Sequence, residues 1–153
     1  MQSLQYSISI KAPRVLVHQT MLADATYRVW TNEFATGSYY TGSWDKGAQI
    51  LFLNPEGFGM KARIAEHRPA EFVSLEMLSE VRDGVPDTQD QWQGASENYT
   101  FTEANGITNL QVNISGVPVE WAEYMDTTWP KALAKLKAIC EATMHNSGTK
   151  AVM

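Results

Sequence analysis

The feature that most constrains this chain is a single change of period. From Gly37 to Gly116 apolar residues tend to recur at every second position; after Pro118 they recur every third or fourth. The first pattern belongs to half-buried strands and the second to an amphipathic helix. The segment 119–140 reads VEWAEYMDTTWPKALAKLKAIC. In it Trp121, Met125, Trp129 and Leu133 stand at successive steps of four, Leu136 and Cys140 extend the stripe, and Tyr124 and Ala132 lie beside it. Glu120, Glu123, Lys131, Lys135 and Lys137 fall largely on the other side. At about 1.5 Å per residue such a helix runs over about 30 Å, the width of a small domain.

The rest of the chain supplies what that helix lies on. Residues 4–10 alternate strictly and predict a strand. Pro13 then opens a helix over 14–22, and Asp24 is placed to cap a second over 25–34. Strands are expected at 38–43, 48–53, 59–66, 72–78, 96–102 and 108–114. Asn54-Pro55-Glu56-Gly57 and Asn105-Gly106 are turn signals, the second for a two-residue hairpin. Connections this short permit only antiparallel pairing. The expected fold is α+β: a curved antiparallel sheet of about six or seven strands wrapped on the C-terminal helix, with two short helices after the first strand. One domain over 1–145 and a frayed tail over 146–153 complete the reading.

A bent helix gripped by a curved sheet can enclose a hollow. Pro130 cannot donate to the turn before it, so a bend is expected near Trp129. Before Pro130 the stripe uses large amphipathic side chains; after it, smaller aliphatic ones. A stripe of this kind also serves as plain core. Five tryptophans and seven methionines are nevertheless many to pack tightly, and methionine suits adaptable surfaces. Strand parity assigns Tyr39, Phe52, Met60, Met77, Tyr99 and Val112 to the inner face. With Trp30, Phe34, Trp44, Trp92, Trp121, Tyr124, Met125 and Trp129 they are the candidate cavity residues.

Composition narrows the function. A formal charge of −5 argues against nucleic acid as a partner. No apolar run approaches the length needed to span a bilayer. The N-terminus lacks the basic and apolar regions of a signal peptide, and the lone Cys140 excludes an intrachain disulfide, so a cytoplasmic location is expected. His18, His67 and His145 stand at no metal-ligand spacing, and no glycine-rich phosphate loop or G-x-S-x-G occurs, so neither metal nor organic cofactor is expected. Glu97 shares a strand face with Tyr99. It reads either as a strand-end carboxylate in water or as a buried candidate general base. The acidic loop with Asp83, Asp87 and Asp90 reads as solvated, while Trp92 within it could dock on the domain, close over a cavity or meet a partner.

The order of elements resembles the helix-grip fold of the START-like superfamily (SRPBCC, Bet v 1-like). Several short motifs are similar to its branch named after the activator of Hsp90 ATPase homologue. They are Ile10-Lys11-Ala12-Pro13, Tyr27-Arg28-Val29-Trp30, Gly42-Ser43-Trp44-Asp45-Lys46-Gly47, Ala65-Glu66-His67-Arg68-Pro69, and the run Trp129 to Lys137. Pro130 directly after the helix tryptophan departs from that pattern. The resemblance implies no shared catalytic residues. It implies three functions: binding of an apolar or amphipathic small molecule between sheet and helix, a module meeting an Hsp90-like chaperone, or a cyclase or aromatase-like enzyme. The first needs only the hollow and is the preferred expectation.

Overall fold

The computed structural model describes residues 2–86 and 94–152, with side chains as far as 146. Its elements follow the expected order. Strand β1 (Gln2–Ile10) leads into α1 (Arg14–Leu22) and α2 (Asp24–Trp30), and a 3-10 turn (Thr31–Glu33) follows. Then come β2 (Tyr39–Gly42), β3 (Gln49–Leu53), β4 (Gly59–Arg68), β5 (Phe72–Arg82), a two-residue β6 (Val85–Pro86), β7 (Ser96–Ala104) and β8 (Ile107–Val117). A 3-10 turn (Val119–Trp121) precedes α3 (Ala122–Val152). The architecture is an α+β helix-grip, with every strand pair antiparallel.

The sheet order is β1-β8-β7-β5-β4-β3-β2, with β6 paired to β5. β1 and β2 therefore occupy opposite edges, and α1 and α2 carry the chain between them. The hairpin from β7 to β8 turns on Asn105 and Gly106, both at positive φ (56° and 76°), the conformation that makes Asn-Gly the favoured two-residue turn. Gly59 allows a close approach instead: a Cβ there would lie 1.7 Å from the Phe52 carbonyl oxygen, so only glycine fits beside β3.

Three details differ from expectation. β6 forms inside what reads as a loop. Asp24 does not cap α2; it is the first helical residue and meets Arg28 at 3.2 Å, an i,i+4 pair. The parity of β2 is also shifted by one. Tyr40 lies opposite Phe52 and faces inward, whereas Tyr39 lies on the outer side under the Arg28 guanidinium, 5.4 Å from its ring centre. Adjacent tyrosines carry no alternation, so nothing local distinguishes the two.

The core is built in two unequal parts. After Pro130, Ala132, Leu133, Leu136 and Cys140 on α3 are at most 1% exposed. They join a buried cluster with Ile10, Val17, Met21, Phe101, Leu110 and Val112. Before Pro130, Trp121 and Tyr124 are exposed and Met125 is half-buried. The helix is continuous through Pro130, but the Asp126 carbonyl, four residues back, receives no backbone N–H from it.

Candidate functional site: a cavity under the first turns of the last helix

The loosely packed part of the interior holds a cavity of about 590 Å³, well within the range of small-molecule sites. Ten expected residues line it: Trp30, Phe34, Phe52, Met60, Met77, Tyr99, Trp121, Tyr124, Met125 and Trp129. It reaches the surface beside Phe58, Trp121 and Tyr124, which are 45%, 36% and 39% exposed.

Three expected residues do not line it. Tyr39 points away, as above. Trp44 packs behind the wall, its ring 5.7 Å from Phe52 and 5.5 Å from Tyr40. Val112 faces inward between Tyr6 and Tyr99, but where the core is solid. Trp92, Asp87 and Asp90 lie outside the described residues. Sequence reasoning missed Tyr27, Thr31, Ser38 and Phe58 as lining residues. Tyr27 was within reach, because it stands three residues before Trp30 on one helix face.

The walls are held in two ways. Trp30 donates Nε1–H to the Met21 carbonyl at 3.0 Å, and Tyr124 donates its hydroxyl to the Phe34 carbonyl at 2.6 Å. These rings are pinned to backbone. Trp129 is held by rings alone, with Phe34 at 4.9 Å, Trp30 at 6.1 Å, Tyr6 at 6.2 Å and Tyr99 at 6.3 Å. Its buried Nε1 has no hydrogen-bond partner among the described residues. Ring contacts are weakly directional, so Trp129 can tilt at smaller cost than a hydrogen-bonded ring.

At depth the cavity is not wholly apolar. Glu97 lies on β7 opposite Leu75 and Ile114, both buried, so its side chain is turned inward. The surface it keeps lies along the cavity. Tyr99, two residues on and on the same face, donates its hydroxyl to the carboxylate. Burial pushes the Glu97 carboxyl up to about 7, and the Tyr99 hydrogen bond partly opposes this. Burial and the nearby Glu97 charge raise the Tyr99 and Tyr27 phenols well above their ordinary value. The strand-end reading of Glu97 is thus replaced by the buried one. Near the mouth, Glu80 and Arg82 form an ion pair at 3.0 Å.

Elsewhere the fold joins two histidines that are 49 positions apart. His18 on α1 and His67 on β4 meet Nε2 to Nε2 at 2.8 Å. His67 Nδ1 is 2.8 Å from the Trp44 carbonyl, which can only accept. His67 therefore carries a proton on Nδ1, and in its neutral form its Nε2 accepts from His18 Nε2–H. Among the described residues no group of three or more histidine, cysteine, aspartate or glutamate side chains could hold a metal.

The fold defines a class: the helix-grip proteins, in which an antiparallel sheet grips a long last helix. Solved structures share it. The Aha1 dimer from Colwellia psychrerythraea is similar with a TM-score of 0.74 at 18% identity, over 92% of this chain and 97% of that one. Protein MLL2253 from Mesorhizobium loti is similar with a TM-score of 0.73 at 12% identity, over 93% and 98%. CalU16 from Micromonospora echinospora is similar with a TM-score of 0.65 at 15% identity, over 90% and 73%. The neighbours are thus of the Aha1-like and SRPBCC kind that the sequence motifs resemble, and at these identities the likeness is one of fold. The sequence itself matches no family model and no curated protein.

Proposed function

We propose that the protein binds an apolar or amphipathic small molecule in the cavity beneath the first turns of α3. The observation that carries this is the contrast within one core. Leu133 and Leu136 are packed solid, while a hollow of about 590 Å³ walled by aromatic and methionine side chains persists a few residues away. Interiors pack to crystal density, and a void of this size forfeits contacts that something else must supply. The cytoplasmic location expected from the lone cysteine belongs to the same proposal. No helix among the described residues is long and apolar enough to cross a membrane.

The test is binding of Prodan, a neutral solvatochromic naphthalene. Saturable, blue-shifted emission and a rise in Tm are expected, and filling the hollow by Met60→Trp should remove both. Absence of saturable binding to the wild type would refute the proposal. A second reading, a cyclase-like enzyme, is favoured by one observation: the buried Glu97–Tyr99 pair supplies a carboxyl that titrates near neutrality inside the hollow. The partner-binding reading is favoured by the exposed Val119, Trp121 and Tyr124 beside the mouth. Retention of Hsp90 on the immobilised protein, lost in Trp121→Ala, would support it.

A further inference from the structure

The cavity carries an uncompensated acid. Among the described residues three charged side chains line it: Glu80, Arg82 and Glu97. The first two pair with each other near the mouth. Glu97 lies deeper, and its hydrogen-bond partner is the Tyr99 phenol, which brings no positive charge. Among the described residues no ion pair reaches Glu97. The segment 87–93, DTQDQWQ, contains no lysine, arginine or histidine and so cannot supply a cation either. Around the carboxyl the rings are continuous. Tyr27 meets Trp30 at 5.6 Å, Trp30 meets Trp129 at 6.1 Å, and Trp129 meets Tyr99 at 6.3 Å. Aromatic faces are electron-rich, and a carboxylate set among them in a poorly hydrated hollow attracts a cation more strongly than it would in water.

We propose that the cavity selects an amphiphile with one protonated amine, seated with its ammonium on the Glu97 carboxylate and its apolar body against the aromatic walls. This rests on the proposed function above and names the ligand class of that site. The titratable groups facing Glu97 are Tyr99 on its own strand and Tyr27 from α2, both neutral in this range, with the Glu80–Arg82 pair on β5 also lining the cavity. Because burial holds the empty carboxyl near 7, an ammonium arriving at neutral pH displaces its proton to solvent. The amine keeps its own proton, so charge and protons balance: from the protonated form of Glu97 one cation enters as one proton leaves, and the ionised form takes the cation with no proton released.

The experiment displaces Prodan with two isosteres, 1-naphthylmethylamine and 1-naphthylmethanol, at pH 8 and pH 5.5. At pH 8 the amine should bind at least about 10-fold tighter than the alcohol, a difference of about 1.4 kcal/mol. At pH 5.5, where Glu97 is protonated, the preference should shrink to less than about 3-fold, as it should at pH 8 in Glu97→Gln. Calorimetry of the amine at pH 6.5 should show heats that vary with buffer ionisation enthalpy, the signature of the released proton. Equal affinity for both compounds at pH 8, or a preference that persists in Glu97→Gln, would overturn the inference while leaving the cavity reading intact. Failure of Prodan itself to bind would instead remove the cavity reading. Should Glu97→Gln not fold, the wild-type pH comparison decides.

Discussion

The Tyr124 hydroxyl donates to the Phe34 carbonyl at 2.6 Å, tying the first turns of α3 to the turn that follows α2. The bond crosses the rim of the cavity, and the two rings approach to 6.5 Å beside it. It is a latch made of one side chain and one backbone oxygen.

Removing that latch should loosen the mouth more than the fold. Tyr124→Phe keeps the ring and loses the bond, and should cost only about 0.5–1.5 kcal/mol, as for a partly exposed hydrogen bond. Stopped-flow Prodan binding should show association and dissociation both faster, with affinity changed less than either rate. Unchanged rates would mean that entry lies elsewhere.

The two halves of α3 should respond differently to truncation. Leu136 is fully buried, and Leu136→Ala should destabilise by about 2–5 kcal/mol in urea unfolding. Met125 lines the hollow and is half-buried, so Met125→Ala should cost less, yet shift Prodan affinity more. Equal losses of stability would contradict the division of the helix at Pro130.

Glu97 makes the protein less stable as pH rises. Its folded value lies above that of an unfolded glutamate, so the folded state holds the proton more tightly. The penalty is absent below about 4.5. It grows as pH rises toward about 7 and is complete above that. Glu97→Gln should therefore gain about 1–3 kcal/mol relative to wild type at pH 8 and little at pH 4.5. A gain that does not vary with pH would place the carboxyl in water.

His18 acts in the opposite sense. Burial, and then the facing His67, lower its affinity for a proton in the folded state. Above about 6.5 both folded and unfolded forms are neutral there and nothing changes. As pH falls through that value the unfolded chain takes the proton first, and stability drops until the folded value is passed. His18→Phe, which keeps a ring beside Phe101 (5.6 Å away in the wild type), should flatten this part of the pH profile. Chemical denaturation of both proteins between pH 5 and 8 checks it.

The architecture was legible because it is written in period. Alternation in 4–10 and 108–114 marks β1 and β8, and steps of four from Trp121 mark α3. The cavity wall was legible from the same rule, since opposite partners such as Phe52 and Met60 share a face. Legibility ended where a position depends on something distant. Tyr39 and Tyr40 differ only in their register against β3. Glu97 has the parity of Tyr99, but Leu75 and Ile114 on neighbouring strands are what bury it. His18 on α1 and His67 on β4 meet only through the folded arrangement of those elements, which no spacing of 49 residues reveals.

The sheet order has a consequence for how the molecule is made. β1 pairs with β8, from Gln2 opposite Val117 to Ile10 opposite Thr108, so the first strand of this sheet waits for its last. Until β8 has left the ribosome, the backbone of β1 has no strand to pair with, and α3, which completes the core around Ile10, follows later still. Contacts so distant in sequence close slowly. During synthesis the nascent chain thus presents an unpaired strand and an uncovered apolar face, the surfaces by which incomplete chains associate with one another.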